Sequence, residues 1–412
     1  MKGQTIAEKI LSQHVGTRVY AGVLVITPVD GLMATDTTAP MAIKAFREMG
    51  GTQVFDKNKC HLVIDHAAPA PNERIANLHK MMRDFALEQG IRLYEIGEGI
   101  CHQVMVDKQL VKPNDVFMGA DSHTPIYGAL NALACGVGST DLAAVMLTGK
   151  IWLKVPKSLR VICRGKLAKG VSAKDLILFV VGQLTISGAT YQSVEFQGDT
   201  FEDFTLSSRM VMCNMIAEIG GKTGFVHPKG LTLPYPFAPT YPDADAEYSA
   251  TFEFDVSGLK PLLAVPNSPD NIAEVAAHLG KKIDYAFIGT CVNGRLEDLQ
   301  IAAAILKGKH IAPHVRMVIA PASKQVLLDA IADGTAFTLI AAGATLINAG
   351  CGPCVGSHEG VPADGEVVIS AANRNFKGRM GNPNAEIYLA SPETVAVSAL
   401  RGEIALNTEG VA

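Results

Sequence analysis

Short β-rich runs of apolar residues alternate with segments of helical periodicity along the 412-residue chain, and this alternation constrains its fold most strongly. We expect strands within residues 159–163, 284–291, 315–321 and 365–370. Apolar residues at helical spacing predict a helix over 72–90, with an asparagine to cap its start and a glycine at its end. Such alternation is typical of α/β proteins with largely parallel sheets covered by helices.

Three further segments carry helix-start and helix-end signals. Ser172 and Asp175 resemble a capping box that precedes an apolar run. Helices are also expected over 270–280 and 323–334, each bracketed by a capping residue and a glycine. These assignments complete a pattern in which helices connect successive strands.

Two segments that combine proline with polar residues, 154–158 and 264–270, mark breaks between compact units. The usual size of domains then divides the chain into three. We expect domains at residues 1–157, 158–267 and 268–412.

Composition excludes several classes of function. A net charge of −4 offers no basic surface for nucleic acid or membrane lipid, and aromatic residues, which single-strand binders use as stacking platforms, make up only 6%. The apolar run at 176–184 is too short to span a bilayer, and the N-terminus lacks the layout of a signal peptide. We therefore expect a cytoplasmic protein without a nucleic-acid or membrane partner. Its eight dispersed cysteines are not a disulfide framework.

Cys351 and Cys354 form a Cys-Gly-Pro-Cys sequence, which thioredoxins use for disulfide exchange. A redox motif of that kind needs a long helix behind it, because the helix N-terminus lowers the pKa of the first thiol. The eleven residues after Cys354 contain three glycines and a proline, which do not favour a helix. Thiol–disulfide exchange is therefore the weaker interpretation.

A third thiol stands in a similar context. Cys291 ends the apolar run 284–291 and Cys351 follows another, so both lie where a strand enters a loop, the usual position of sites in α/β proteins. Three thiolates suit a zinc ion with His358 as fourth ligand, or a [4Fe-4S] cluster with one open iron that acts as a Lewis acid. The remaining cysteines considered, in apolar contexts typical of buried packing residues, are Cys135, Cys163 and Cys213.

Acidic residues precede histidines at two places. Asp65 is followed by His66, and Asp121 is followed by Ser122 and His123. A carboxylate can fix the tautomer of a histidine and raise its pKa, which prepares the imidazole to donate a proton. The alternative is that these residues satisfy backbone groups in turns.

Seven separated stretches together resemble the aconitase superfamily, and the resemblance runs over the whole chain. It is strongest to the branch whose enzymes are divided into a large and a small subunit, the isopropylmalate dehydratase and homoaconitase type. The stretches are VIDHAAPAP (63–71), GICHQ (99–103), GADSHT (119–124), MCNMIAEIG (212–220), IGTCVNGR (288–295), GCGPC (350–354) and NRNFKGR (373–379).

This resemblance implies three α/β/α domains around a cluster-binding cleft, with the fourth, swivelling domain absent from this chain. It assigns a [4Fe-4S] cluster to Cys291, Cys351 and Cys354. It implies a catalytic role for Asp65, His66, His102, Asp121, His123 and Glu218, with His102 paired to Glu218 and His123 to Asp121. The substrate-binding residues it implies are Ser122, Asn214, Asn373, Arg374 and Arg379. Asn293 and Arg295 are expected to support the cluster loop.

The implied reaction is dehydration and rehydration of a 2-hydroxy di- or tricarboxylic acid. We expect conversion of 2-isopropylmalate to 3-isopropylmalate in leucine biosynthesis, with homoaconitate-type and 2,3-dimethylmalate substrates as alternatives. Pro40 stands where aconitase has a glutamine that contacts citrate, which disfavours citrate. The serine that removes the proton from carbon is expected on a separate small subunit. RNA binding by a cluster-free form and thiol redox chemistry are the alternatives from other classes.

Overall fold

Mostly parallel strands and the helices that connect them make up the computed structural model, which describes residues 2–407. The strands are β1 (Leu24–Pro28), β2 (Gly31–Thr35), β3 (Cys60–Val63), β4 (Arg92–Tyr94), β5 (Val116–Gly119), β6 (Leu133–Gly136), β7 (Lys150–Lys154), β8 (Ser158–Arg164), β9 (Ser193–Gln197), β10 (Thr223–Val226), β11 (Ala250–Asp255), β12 (Leu262–Ala264), β13 (Ile272–Glu274), β14 (Tyr285–Ile288), β15 (Arg316–Ile319), β16 (Thr345–Leu346), β17 (Val367–Ser370) and β18 (Glu386–Leu389).

Helices connect most of these strands. The α-helices are α1 (Ile6–Val15), α2 (Ala39–Glu48), α3 (Glu73–Gln89), α4 (Cys101–Asp107), α5 (Ser139–Thr148), α6 (Ala173–Leu184), α7 (Leu206–Asn214), α8 (Thr290–Asn293), α9 (Leu296–Leu306), α10 (Lys324–Ala332), α11 (Thr335–Ala341) and α12 (Pro392–Arg401). Short 3-10 helices occupy Thr124–Leu130, Asp199–Phe201, Met215–Ile219, Val275–His278 and Gly352–Val355. Within residues 2–407, no helix combines the length and the apolar composition that crossing a membrane requires.

The strands form three large sheets and one ribbon. The first sheet has the order β4-β3-β2-β5-β6 and the second β10-β9-β8-β11, and both are parallel throughout. The third has the order β13-β12-β18-β17-β14-β15-β16, in which β12 pairs antiparallel with both β13 and β18 and the other pairs are parallel. Strands β1 and β7 form an antiparallel ribbon. The predicted α/β class with largely parallel sheets is confirmed.

The predicted elements mostly lie where the sequence placed them. Helix α3 begins after Asn72, whose side chain accepts a hydrogen bond from the backbone N–H of Ile75, and ends at Gly90 in the left-handed conformation. The capping box of Ser172 and Asp175 opens α6. Helix α10 fills most of the segment 323–334, and strands β8, β14, β15 and β17 lie within or across the four predicted runs.

The helix predicted over 270–280 is wrong. Residues Ile272–Glu274 form strand β13, which pairs with β12, and Val275–His278 form one 3-10 turn. Ile272 packs so closely on Gly182 of α6 that a β-carbon at that glycine would lie 2.7 Å from its side chain. Pairing and packing at this sheet edge override the local helix preference.

The three sheets occupy separate stretches of chain, and the predicted domain boundaries after residues 157 and 267 remain a prediction. Strand β12 joins the third sheet although it precedes residue 267. One continuous apolar cluster includes buried residues from all three sheets, such as Phe117, Val161 and Phe287, and also the three cysteines implied in metal binding. The sheets therefore pack together around the region that contains these cysteines.

Candidate active site

Loops that follow the carboxyl ends of strands from the first and third sheets meet at one cavity of about 230 Å³. Carboxyl ends of parallel strands lie at the same edge of a sheet, which is where α/β proteins build sites. Its lining consists of Thr37, His66, Ile100, His102, Asp121, Ser122, His123, Cys291, Cys351, Cys354, Val355, Asn373, Arg374 and Arg379. Most of the predicted site residues are thus brought together.

His66 is held between two carboxylates. Its Nδ1 lies 2.8 Å from Oδ1 of Asp65, and its Nε2 lies 3.3 Å from Oδ2 of Asp121. Burial by itself lowers the pKa of His66, but the two carboxylates outweigh burial and raise that pKa well above its ordinary value of 6.5. The two carboxylates therefore favour the protonated imidazole of His66, which can donate a proton into the cavity.

Asp121 links three histidines and corrects the predicted pairing. Its Oδ1 lies 2.8 Å from Nε2 of His102 and accepts a 2.8 Å hydrogen bond from the backbone N–H of His123. Burial disfavours the charge on Asp121, yet its imidazole partners hold its pKa well below the ordinary range. His102 therefore pairs with Asp121, and the predicted pair of His102 with Glu218 is not formed.

Glu218 pairs instead with His123 and Arg374. Its Oε1 lies 2.9 Å from Nε2 of His123 and accepts a 2.8 Å hydrogen bond from Nε of Arg374. Burial raises the pKa of Glu218, but these two partners together lower it below its ordinary value of 4.5. Glu218 lies behind the cavity, where it orients both side chains toward it.

Replacing Glu218 with glutamine is expected to destabilise the protein by about 1.5–3 kcal/mol at pH 7, because two charge-assisted hydrogen bonds lose their anion. The folded pKa is lowered, so the contribution is present above the unfolded value near 4.5 and is lost as pH falls through the folded pKa. The difference in denaturant midpoint between Glu218→Gln and the wild type should therefore shrink on acidification.

Glu202 provides the control for this measurement. It accepts a 2.7 Å hydrogen bond from Lys229 at the surface, where ion pairs contribute about 0–1 kcal/mol. Glu202→Gln should thus change the midpoint little at any pH. Equal effects of the two substitutions would contradict the arrangement described for Glu218.

The three predicted cysteines line the cavity together and are each no more than 5% exposed. Asn214 donates a hydrogen bond of 3.0 Å to Sγ of Cys291, and Arg379 donates one of 3.3 Å to Sγ of Cys354. Hydrogen bonds to sulfur are characteristic of the surroundings of iron–sulfur clusters. Asn214 lies behind Cys291 rather than in the cavity lining.

The thiols also differ in their pKa values. Burial raises the pKa of Cys291 to about 12, whereas a hydrogen bond from Cys351 and the charge of Arg379 hold the pKa of Cys354 well below its ordinary value. Three buried thiols in one cavity act together as thiolate ligands only where a positively charged group compensates their charge. In addition, Nε of Arg379 is a buried donor that has no hydrogen-bond partner in the described structure. The donor set therefore fits an iron–sulfur cluster.

Side-chain hydrogen bonds, several of them to backbone carbonyl groups, hold the loop that carries Cys291. Arg295 donates a 2.7 Å hydrogen bond to the carbonyl oxygen of Cys291 and another to that of Val292, as predicted for a supporting residue. Asn293 contributes through a 2.9 Å hydrogen bond to Asp298. Thr290 adopts a φ of 73°, which is costly for a threonine and fixes the turn into α8.

A close approach of two chain segments fixes the start of α4. Gly99 has a φ of 130°, and a β-carbon there would lie 2.6 Å from Cα of Ser323. The neighbouring Ile100 donates a 2.9 Å hydrogen bond to the carbonyl of Ala322. This contact places His102 opposite the third sheet. Cys101, which had no predicted role, donates its backbone N–H to Oδ2 of Asp65 at 2.7 Å.

The alternative interpretations of the cysteines receive less support. His358, considered as a fourth zinc ligand, is not among the residues that line the cavity. His102, His123 and Cys291 do lie close enough to share a small ion, although both imidazoles already contact carboxylates. Cys354 lies in a 3-10 turn at 352–355 rather than before the long helix of a thioredoxin-type motif.

Sequence reasoning missed Asp36, Thr37, Ile100 and Val355. Thr37 and Asp36 follow β2, so the signal available was a polar pair at the end of an apolar strand. Pro40 does not line this cavity but faces a separate groove of about 620 Å³ between α2 and α3. Ser122, Asn373 and Arg374 lie in the cavity lining as expected.

Comparison with known proteins agrees with this geometry. Residues 8–402 match the Aconitase family (aconitate hydratase). The chain is 46% identical over 410 residues to 3-isopropylmalate dehydratase large subunit 1 of Methanopyrus kandleri, covering 98% of each chain. It is 47% identical over 410 residues to the homoaconitase large subunit of Thermus thermophilus, covering 99% of this chain and 98% of that one.

The fold also resembles that of the crystal structure of Thermococcus kodakaraensis aconitase X in its holo-form. The TM-score is 0.52 at 15% identity, with 90% of this chain and 88% of that chain covered. At this identity the likeness concerns the fold alone. The match over residues 8–402 and the relatives at 46% and 47% identity show that the chain belongs to the aconitase family.

Proposed function

We propose that the chain is the large subunit of a hydro-lyase that moves a hydroxyl between neighbouring carbons of a 2-hydroxy acid. One observation supports this most strongly: three buried thiols, three histidines that contact carboxylates and two arginines line a single cavity. Elimination of water needs an acid for the departing oxygen and cations for the carboxylates, and the cavity offers both.

Cys291, Cys351 and Cys354 would hold a [4Fe-4S] cluster, with one iron left without a protein ligand. When bound, such a cluster supplies a Lewis acid for the hydroxyl and a carboxylate of the substrate. Arg379 and the amide of Asn214 stabilise the thiolates through hydrogen bonds to sulfur. Asn373 adds a donor 3.6 Å from Sγ of Cys291.

His66 gives the departing hydroxyl its proton, so that the oxygen leaves as water. Asp65 holds the imidazole at Nδ1, which keeps Nε2 toward Asp121 and the cavity. His102 and His123 have carboxylate partners of their own, and we assign them to holding water and orienting substrate. Arg374, with Arg379, binds the substrate carboxylates, since a guanidinium forms bidentate pairs with them.

The base that takes the proton from carbon lies on a partner. The relatives named above are large subunits, and we propose that this chain also works with a small subunit, which supplies a serine for that step. The number of copies in the assembly does not enter the mechanism. The expected cytoplasmic location stays a prediction.

The preferred substrate is 2-isopropylmalate, and homoaconitate-type acids are the second candidate. Relatives with either name are similar to this chain at 46% and 47% identity, so identity does not separate them. Pro40 faces the groove between α2 and α3 rather than the cavity, so it does not choose among these acids. A 2,3-dimethylmalate substrate is the third candidate.

The test combines the iron-loaded chain with the small subunit encoded in the same genome and follows the unsaturated diacid by its ultraviolet absorbance. We expect turnover of 2-isopropylmalate with the highest kcat/KM among the three acids, and none without the small subunit. A higher kcat/KM for a homoaconitate-type acid would change the proposed substrate and leave the proposed reaction unchanged. If the enzyme contained a full cluster and dehydrated none of the 2-hydroxy acids tested, the proposal would be refuted.

A further inference from the structure

Asp36 occupies a position behind His66 that the proposed mechanism does not use. It follows strand β2 and is 3% exposed. Its Oδ1 accepts hydrogen bonds from the backbone N–H groups of Asp65, at 3.1 Å, and His66, at 2.8 Å. Its Oδ2 accepts a third from Ala67 at 2.8 Å. One carboxylate thus binds three successive backbone donors of the segment that carries the proposed acid.

His79 holds Asp36 from the other side. It lies on α3, is 1% exposed, and places Nε2 3.3 Å from Oδ2 of Asp36. Burial raises the pKa of Asp36, but these hydrogen bonds and the nearby imidazoles outweigh burial and hold that pKa well below its ordinary range. Asp36 is therefore a fixed anion between helix α3 and the segment 65–67.

A metal ion is not the better interpretation of these residues. Ligand atoms of Asp36, Asp65 and His66 do lie close enough to share an ion. However, both oxygens of Asp36 already accept hydrogen bonds from N–H groups, and Nδ1 of His66 already contacts Asp65. The carboxylate is thus used as an anchor for backbone donors.

The anchored segment connects three parts of the site. Oδ1 of Asp65 contacts His66, while its Oδ2 accepts the backbone N–H of Cys101 at 2.7 Å. Its carbonyl oxygen accepts the backbone N–H of Cys351 at 2.9 Å. A shift of this segment would move the imidazole of His66 relative to the cysteines, and misplacement by about 1 Å can cost about 10²-fold in rate.

We propose that Asp36, held by His79, is a positioning residue that fixes the backbone of residues 65–67 and so keeps the imidazole of His66 aimed into the cavity. Asp36 does not line the cavity, and its hydrogen bonds go to none of the three cysteines. The expected loss of kcat rests on the proposed function. The anchoring of residues 65–67 rests on the hydrogen bonds alone.

The test compares Asp36→Asn with Asp30→Asn in the complete enzyme. Asp30 forms a similar contact, 2.7 Å from Nε2 of His14, and accepts the backbone N–H of Val116, but it does not line the cavity. We expect Asp36→Asn to lower kcat about 10²-fold with KM changed less than about threefold and with unchanged iron content. Asp30→Asn should leave kcat as in the wild type.

Two variants of His79 cover the case in which Asp36→Asn does not fold. His79→Leu removes the donor and should lower kcat about tenfold, whereas His79→Gln keeps a donor and should restore most of it. Equal kcat values for His79→Leu and His79→Gln would overturn the proposal. So would a parallel loss of kcat and iron, since that is the result of a merely structural defect.

Hydrogen exchange gives a result that does not depend on activity. The amides of residues 65–67 should exchange at least about tenfold faster in Asp36→Asn than in the wild type, with the rest of the chain unchanged. Faster exchange without any turnover in the wild type would reject the proposed function and keep the anchoring. Unchanged exchange would reject the anchoring itself.

Discussion

Replacing Cys291, Cys351 or Cys354 with serine is expected to remove the cluster and reduce dehydratase activity by at least about 10³-fold. A Lewis acid at the departing oxygen contributes several kcal/mol to stabilising the transition state, and about 4 kcal/mol corresponds to about 10³-fold. Serine keeps the size of the side chain but replaces the soft thiolate that binds iron. Iron, acid-labile sulfide and turnover should be measured on the same preparation of each variant.

Cys163→Ser is the matched control for these variants. Cys163 is also a fully buried free thiol, but it lies on β8 outside the cavity. Its replacement should lower stability by about 1–3 kcal/mol, because a buried hydroxyl lacks a partner, and should leave iron and activity unchanged. Full iron and activity in Cys354→Ser would contradict the assignment of the ligands.

Replacing His66 with asparagine is expected to lower kcat by about 10²–10⁴-fold, the usual contribution of a positioned general acid. The cluster content should not change, since no sulfur ligand is removed. Asp65→Asn should act in the same direction, because His66 would lose the carboxylate at Nδ1, 2.8 Å away, and with it part of its raised pKa. The measurement is kcat and KM for the preferred acid at fixed iron content.

His14 offers the control for this prediction. Its Nε2 lies 2.7 Å from Asp30, so it shares the chemistry of His66, but it is not part of the cavity lining. His14→Asn should change stability and leave kcat near the wild-type value. If His66→Asn kept wild-type kcat while His102→Asn lost it, the role of acid would move to His102.

Short-range signals predicted part of the site, and the resemblance to the aconitase superfamily supplied the remaining residues. Cys291 and Cys351 each follow an apolar run, and in parallel sheets such positions meet at one edge. Asp65 and His66 are adjacent in sequence, so their contact needs no knowledge of the fold. The cavity brings these side chains together as the spacing indicated.

Contacts between distant elements could not be derived in the same way. The predicted pair of His102 with Glu218 failed because Asp121, which follows β5, lies nearer to His102. Glu218 comes from the 3-10 helix Met215–Ile219, whose placement depends on packing among the sheets. The sequence around His102 does not indicate which of two carboxylates it contacts when both lie near the same cavity.

The role of residues that act through the backbone could not be predicted from the sequence either. Asp36 binds three N–H groups about thirty residues away, and an aspartate after a strand is more often a simple turn residue. The segment 270–280 had helical signals but became a sheet edge through its pairing with β12. Both cases depend on neighbours that only the folded chain provides.

The most direct measurement is the iron and acid-labile sulfide content of the anaerobically purified chain, with an EPR spectrum after mild oxidation. A cluster held by three cysteines should give about four iron and about four sulfide per chain and, on oxidation, the signal of a three-iron form that has lost its open iron. Stoichiometric zinc, or no metal after reconstitution with iron and sulfide, would contradict the proposed hydro-lyase. Cys351 and Cys354 would then be a structural or redox pair.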